Sequence, residues 1–248
     1  MLFPHHRLVA TVAVLVAPTL TACTYHYHRG ASAPSVEGEK PNPPPAEAIG
    51  NIVPDAKARP FWERLAAVTV RVRKGSGKGG GSGVIVSKDG LVITAGHVTG
   101  GFTALQVARV RLEPDGTFTE YAWYYADLVH VNEAHDIALL RMRDPPKDLS
   151  PAPIADISGV KVGDYLYRLG FGDVRLTKGP ILHKDVTFKK QEHMLELGLI
   201  GGPGASGGPV FDGMGRLVAI ELASPRSEGS YPAYALPMKY VLETVMRD

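Results

Sequence analysis

The sequence predicts an all-β domain, either a barrel or a sandwich, that ends in one α-helix. Short apolar runs recur along most of the chain, and many of them alternate apolar with polar residues. Turn signals such as Lys88-Asp89-Gly90 and Pro114-Asp115-Gly116 separate these runs, which favours many short strands over a βαβ fold. The helix is predicted after Pro237, where the apolar spacing changes from two residues to three and four.

Residues 1–22 are predicted to be a signal peptide. His5, His6 and Arg7 precede the apolar run LVATVAVLVAPTL, which has the length of a signal-peptide core and is too short to span a bilayer. The run ends in LTAC, which resembles the bacterial lipoprotein signal, whose cysteine is lipidated and becomes the mature N-terminus. That cysteine is Cys23 here. A plain secretory signal with an unmodified cysteine is the alternative.

Cys23 is the only cysteine of the chain. An internal disulfide is therefore impossible, and lipidation would remove a thiol that is exposed to oxidation outside the cytoplasm. We expect a membrane-anchored lipoprotein that faces the periplasm or the cell exterior.

Residues 23–59 are predicted to be a flexible tether, because they are rich in Pro, Ala and Glu and include PNPPP, which favours an extended polyproline conformation. The globular domain, residues 60–248, is expected to begin with a helical turn at FWERLAA. The first strand follows at VTVRVR, where Val68, Val70 and Val72 alternate with polar residues.

The other predicted strands are GVIVS, LVITA, LQVARVRL, DLVHV, DIALLRM, YLYRLGF, HMLEL, PVFD and LVAIELA. The charged HKDVTFKKQEH, bracketed by His183 and His193, is predicted to be a solvated hairpin. In the C-terminal helix one face carries Met238, Val241, Leu242, Val245 and Met246, and we expect this face to pack on the second half of the β domain.

Composition argues against several classes of function. A formal charge of +2 is too small to indicate a polyanionic partner, so nucleic acid is not expected. The GSGKGG at residues 75–80 fits a nucleotide-binding pattern, but a hairpin pattern follows it where a helix is required, so a flexible loop is preferred. His26 and His28 fall on the tether, and no His-Glu-x-x-His occurs, so we expect neither metal nor cofactor.

Three separate stretches supply a serine, a base and an acid. ITAGHVT places His97 after a strand, HDIALLRM places Asp136 before one, and GASGGPV encloses Ser206 in small residues. A serine hydroxyl is a weak nucleophile that needs an imidazole to accept its proton and a carboxylate to orient that imidazole. Each residue alone has a commoner structural explanation, as an exposed histidine, a turn cap or a turn, so the prediction depends on the three together.

TAGHV, HDIALL and GASGGPV resemble the three catalytic blocks of trypsin-like, chymotrypsin-fold serine peptidases, and GGGSGVIVSKDGLVITAGH resembles the bacterial HtrA/Deg branch. The resemblance covers about residues 68–241. It implies two six-stranded antiparallel β-barrels, with His97 and Asp136 on the first and Ser206 on the second. It also implies an oxyanion hole made by the backbone N–H groups of Gly204 and Ser206.

The sequence departs from this family in two places. Ala205 stands where digestive members carry an Asp that pairs with a newly cleaved N-terminal amine, and where HtrA members usually carry Asn. We therefore expect no activation by cleavage before the first barrel, and ordering of residues 199–204 by other means, such as substrate or a partner. The sequence also ends soon after Pro237, so we do not expect the PDZ domain that is usual in HtrA proteins.

The expected substrate pocket is lined by Ile200, Leu222, Ala223 and Ser224. Position 200, which corresponds to the base of the trypsin pocket, carries no acid, so a small or medium apolar side chain is expected on the acyl side of the scissile bond.

The resulting prediction is a serine endopeptidase that hydrolyses exported or cell-envelope polypeptides through an acyl-Ser206 intermediate, anchored to a membrane by lipid on Cys23. The main alternative is a latent chymotrypsin-fold protein that binds peptides or proteins without cleaving them. An esterase on the same scaffold is a minor variant. The sequence leaves the oligomeric state undetermined.

Overall fold

Two antiparallel β-barrels, each closed by six strands, form the computed structural model of this chain. The structure describes residues 47–48, 57–75, 79–171, 176–224 and 232–245. The predicted signal peptide, Cys23 and most of the tether lie outside the described residues, as does the middle of the glycine-rich loop. The prediction of an all-β fold with two six-stranded barrels and a C-terminal helix is confirmed.

The elements follow one another as β1 (Glu47–Ala48), α1 (Arg59–Val68), β2 (Thr69–Lys74), β3 (Gly80–Ile85), β4 (Leu91–Ala95), α2 (Gly96–Thr99), β5 (Ala104–Leu112), β6 (Phe118–Asn132), β7 (Ile137–Met142), a 3₁₀ turn (Ile157–Gly159), β8 (Tyr165–Leu169), β9 (Leu176–Phe188), β10 (Gln191–Leu197), β11 (Pro209–Phe211), β12 (Leu217–Ala223), β13 (Ala233–Pro237) and α3 (Met238–Val245).

The first barrel closes in the order β2-β3-β4-β7-β6-β5. Its strands follow the period-2 pattern of the sequence, since Val70 and Val72 of β2 are fully buried while the residues between and after them are partly exposed or polar. In β3, Ser82 is also fully buried. The barrel therefore presents a polar side chain of β3 to a dry environment, which requires a hydrogen-bond partner.

The second barrel closes through β8-β9-β10-β13-β12-β11, and β1 adds to the edge of β9. The sequence did not predict β13, and of β9 it predicted only residues 183–188, as one arm of the hairpin HKDVTFKKQEH. Pro180 lies inside β9, where a proline argues against a strand, because it cannot donate to the ladder. It is accommodated because β9 changes partner there, pairing with β8 up to Pro180 and with β10 from Ile181.

Both helices at the ends of the domain contact the two barrels. Trp62 and Leu65 are buried on one face of α1, and Trp62 packs edge-on against Tyr167 of β8 with ring centroids 5.5 Å apart. The helix α3 lies against β12 and β13 and also against β6 and β7. The expected C-terminal helix is present, but it packs on both barrels rather than on the second alone. No helix among the described residues is long and apolar enough to cross a membrane.

We expect Leu65→Ala to lower the free energy of unfolding by about 2 to 5 kcal/mol, because Leu65 is 1% exposed in the core between α1 and the first barrel. Ala67→Ser, on the exposed face of the same helix, should change it by about 0.5 kcal/mol or less. Urea denaturation of the two variants checks this. Equal losses in both would show that α1 does not pack as described.

Candidate active site

His97 lies at the end of β4, in the one-turn helix α2, with its side chain half exposed. Its ring Nδ1 is 2.7 Å from Oδ2 of Asp136, and its backbone N–H donates to Oδ1 of the same carboxylate, also at 2.7 Å. Because an ionised carboxylate only accepts hydrogen bonds, Nδ1 carries the proton in this pair. The other ring nitrogen, Nε2, is then the one able to accept a proton in the neutral imidazole.

Asp136 is held by its own backbone as well as by its side chain. Its φ is 53°, a left-handed conformation that Asp adopts more readily than most residues, and its carbonyl accepts from Gly96 N at 2.7 Å. The turn before β7 therefore aims the carboxylate back at the residue that follows β4. The pairing of β4 with β7, in which Ala95 faces Ile137, brings the two turns together.

Ser206 lies in the loop before β11, and its carbonyl accepts from Ser82 N of the first barrel at 2.8 Å. Gly207 follows with φ 80°, and a Cβ there would lie 2.3 Å from Ser82 O. Only glycine fits such a close approach of two backbones. Gly207 N in turn donates to Glu221 O at 2.7 Å, so the serine lies where both barrels hold its loop.

One cleft of about 760 Å³ brings His97, Asp136 and Ser206 together. Of the four expected pocket residues, Leu222, Ala223 and Ser224 line it; the others that line it are Glu133, Phe188, Lys189, Gln191, Gly202 and Pro203. Ile200 is not among the described residues that line the cleft. Its carbonyl is instead turned to the Arg168 guanidinium below.

The loop before Ser206 leaves two backbone donors available. Gly204 has φ 91°, and its carbonyl accepts from the Ser82 hydroxyl at 2.7 Å. Within the part of the chain that the structure describes, the N–H groups of Gly204 and Ser206 donate to no protein acceptor. These are the two donors that the sequence analysis assigned to an oxyanion hole, and a negatively charged oxygen would meet no competing acceptor there.

The hairpin of β9 and β10 reaches the cleft, which the sequence analysis did not predict. Lys189 and Lys190 both have positive φ and form its two-residue turn. Beside them Phe188 stacks on Tyr234, with centroids 3.9 Å apart. The Tyr234 hydroxyl donates to Glu196, and burial, with the nearby Glu196 charge, raises the pKa of Tyr234 to about 12. Because the sequence of the hairpin is strongly charged, its own pattern indicated only a solvated turn.

A buried ion pair lies under the cleft. Arg168 Nε is 3.1 Å from Glu221 Oε2, and both side chains are 1% exposed. Burial raises the pKa of Glu221, and the Arg168 charge opposes that effect. The sequence predicts no acid at the base of the substrate pocket. It places Glu221 within the predicted strand LVAIELA and assigns it no role in the site. The structure does place an acid nearby, with its charge matched by Arg168.

Groups of three or more His, Cys, Asp or Glu residues that could hold a metal ion do not occur among the described residues.

The model of one protein family, the trypsin-like peptidase domain, matches residues 81–220. Similar proteins include protease Do-like 1 of Arabidopsis thaliana chloroplasts, 29% identical over 66% of this chain and 38% of its own length. A probable periplasmic serine endoprotease, DegP-like, from Pseudomonas fulva is 27% identical over 78% of this chain and 42% of its own length. The chain thus spans less than half the length of these curated relatives.

Solved structures agree with the architecture. The HtrA-type protease AlgW with tripeptide superimposes with a TM-score of 0.63 at 27% identity, covering 75% of this chain and 62% of that one. Deg5 superimposes with a TM-score of 0.62 at 18% identity, covering 78% of this chain and 95% of that one, which shows a shared fold.

We expect Gly204→Ala to destabilise the protein, since a Cβ at φ 91° would also lie 2.0 Å from Phe171 O. The backbone conformation alone should cost about 1 to 3 kcal/mol. Gly202→Ala is the matched control, because no atom lies within 4 Å of its added Cβ and its φ is not in the left-handed range. Thermal unfolding of both variants checks this, and a Gly204→Ala variant as stable as the control would contradict the described loop.

Proposed function

The chain belongs to the trypsin-like peptidase family, in its HtrA branch, and on that premise we propose that it is a serine endopeptidase of exported or cell-envelope polypeptides. The observation that supports this most directly is the Asp136 carboxylate, which hydrogen bonds the His97 ring 2.7 Å away in the cleft that also holds Ser206. A carboxylate-oriented imidazole beside a serine is the arrangement that activates a hydroxyl nucleophile.

In the proposed reaction, Ser206 Oγ attacks the carbonyl carbon of the scissile peptide bond while His97 Nε2 takes its proton. The carbonyl oxygen becomes an oxyanion that accepts from the N–H groups of Gly204 and Ser206. His97 then gives the proton to the leaving amine as the C–N bond breaks, which leaves an acyl-serine ester. Water, deprotonated by His97, hydrolyses the ester and restores Ser206.

Asp136 acts by orienting His97 and by stabilising the imidazolium that forms. Its two oxygens hold both the ring and the backbone N–H of His97, so the ring cannot turn without losing one of these contacts.

The loop geometry favours this function over a latent binding protein. One form of latency turns the Gly204 or Ser206 N–H onto another acceptor of the protein, and among the described residues neither N–H has such a partner. The Gly204 carbonyl also accepts a hydrogen bond from the Ser82 hydroxyl, so its oxygen is held at Ser82.

Export and a peptide substrate have further support from similar proteins. Several relatives bear the name periplasmic serine endoprotease, and AlgW has been solved with a tripeptide and with a decapeptide. We place this chain likewise outside the cytoplasm, with lipid on Cys23 as its membrane anchor.

The substrate pocket is proposed to take a small apolar side chain. A Cβ added at Gly201 would lie 2.0 Å from Ser224 Cβ. The Ser224 side chain therefore lies against Gly201 and narrows the pocket between these two residues. Glu221 lies beneath, but its charge is matched by Arg168 and is not available to a substrate cation.

Labelling of the full-length chain with a fluorophosphonate probe tests the nucleophile. Ser206→Ala should abolish labelling and His97→Ala should nearly do so, while Asp136→Asn should slow it by about 10,000-fold, because the imidazole is then held in the wrong tautomer. Ser150→Ala removes an exposed serine away from the cleft and should label like the parent. A folded parent that remains unlabelled would contradict the proposed function.

Peptides that differ only on the acyl side of the scissile bond test the pocket. We expect kcat/KM to be higher for Ala and Val than for Phe or Lys by about tenfold or more. Ser224→Gly should raise kcat/KM for the Phe peptide, because it removes the side chain that rests on Gly201. A preference for Lys would show that Glu221 binds substrate and would exclude the proposed pocket.

A further inference from the structure

We propose that Ser82 and Arg168 are positioning residues that hold residues 200–206 in the form that binds an oxyanion, without cleavage of the chain. The inference rests on the proposed peptidase function, because it explains how that function is switched on. The sequence led us to expect that this loop is ordered by other means than cleavage, such as substrate or a partner, and here we assign that role to two residues of the chain itself.

Ser82 connects β3 of the first barrel to the loop of the second. Its hydroxyl donates to Gly204 O at 2.7 Å and accepts from Phe171 N at 2.8 Å, and its backbone N donates to Ser206 O at 2.8 Å. The residue is fully buried. Its one side-chain oxygen therefore satisfies two backbone groups, the buried Phe171 N–H and the partly buried Gly204 carbonyl. Ser82 thus contacts the loop at both proposed oxyanion residues.

The hydroxyl fixes the backbone on the C-terminal side of Gly204. The carbonyl of Gly204 cannot rotate without giving up its donor, and Phe171 N orients that donor in turn. On the other side, Phe171 O packs against the Gly204 Cα, where a Cβ would lie 2.0 Å from it. Both torsions of Gly204 are restricted, and the direction of its N–H is restricted with them.

Arg168 holds the other end of the loop. Its Nη2 donates to Ile200 O, and its Nε faces Glu221 and Thr177 at 3.1 Å each. The backbone of Glu221 accepts from Gly207 N and donates to Gly208 O, so the strand that neutralises Arg168 also fixes the residues after Ser206. The loop is thus held before, at and after the serine.

The side chain before Ser206 contributes no hydrogen bond to this arrangement. Ala205 is 1% exposed and offers only a methyl group. A fully buried ion pair adds little net stability compared with apolar residues of similar volume, because desolvation offsets the attraction. The Arg168–Glu221 pair is therefore better explained by the position that it imposes on Ile200 than by stabilisation of the fold.

The test measures how fast the full-length chain is labelled by a fluorophosphonate over a range of concentrations. Ser82→Ala should lower the maximal labelling rate by about tenfold or more, because the buried Phe171 N–H and the partly buried Gly204 carbonyl both lose their Ser82 partner and the formed loop is less populated. The concentration for half-maximal rate should change by less than about twofold. Thr69→Val is the matched control: it also removes a buried hydroxyl that donates to a carbonyl, that of Leu65, but far from the loop.

A second variant separates positioning from folding. Arg168→Met with Glu221→Met replaces the buried pair by apolar side chains, and we expect its melting temperature to be equal to the parent's or higher. Its maximal labelling rate should nevertheless fall, because Ile200 O loses its donor. If this variant labels at the parent's rate, Arg168 has no positioning role. If Ser82→Ala does not fold, the test rests on the double variant, and the proposal requires that its maximal labelling rate is lower than the parent's.

Three further outcomes would overturn the inference. In one, Ser82→Ala labels as fast as the parent and as Thr69→Val. In another, the full-length chain is not labelled, but the chain that lacks the residues before Phe61 is. That result would support the peptidase function but show that cleavage is needed to form the loop. If the parent is never labelled, the proposed function fails, and amide hydrogen exchange of residues 199–207 then tests the positioning role of Ser82. Faster exchange in Ser82→Ala than in the parent supports that role. Equal exchange in the two proteins is the third overturning result.

Discussion

The two barrels meet backbone against backbone where β3 passes the loop of Ser206, and the geometry of the site depends on this contact. Ser82 N donates to Ser206 O at 2.8 Å, and a Cβ on either neighbouring glycine, Gly81 or Gly207, would lie within 2.5 Å of the opposing chain. No side chain separates the barrels here. The position of the serine relative to His97 is therefore set by main-chain atoms, which have little freedom to adapt.

Two acids near the cleft are used in different ways because their surroundings differ. Asp136 is partly exposed, and its two oxygens are occupied by one residue, His97, whose ring and backbone it orients. Glu221 is fully buried, and its pKa is raised by burial while the Arg168 charge opposes this. The first acid faces the cleft and orients the proposed base, whereas the second lies beneath the loop and its charge is paired with Arg168 there.

The cleft is bounded by elements from both barrels. Glu133 comes from the first barrel, and Phe188 and Lys189 come from the hairpin of the second. Phe188, next to the exposed turn, stacks on Tyr234 of β13, so the tip of the hairpin is held against the second barrel. A substrate chain would thus contact acidic, aromatic and basic side chains in addition to the proposed triad.

The sequence by itself determined what depends on local pattern: alternating strands, the C-terminal helix, and the three blocks around His97, Asp136 and Ser206. It did not predict the first part of β9, before the hairpin HKDVTFKKQEH, because Pro180 interrupts the pattern of a strand that changes partner there. Only the tertiary structure decided that the charged hairpin lines the cleft, that Glu221 pairs with Arg168, and that Ser82 holds Gly204 across 122 residues. The physical reason is that periodicity reports which face of a strand is buried, whereas the partner of a buried polar group depends on how closed barrels are placed against each other.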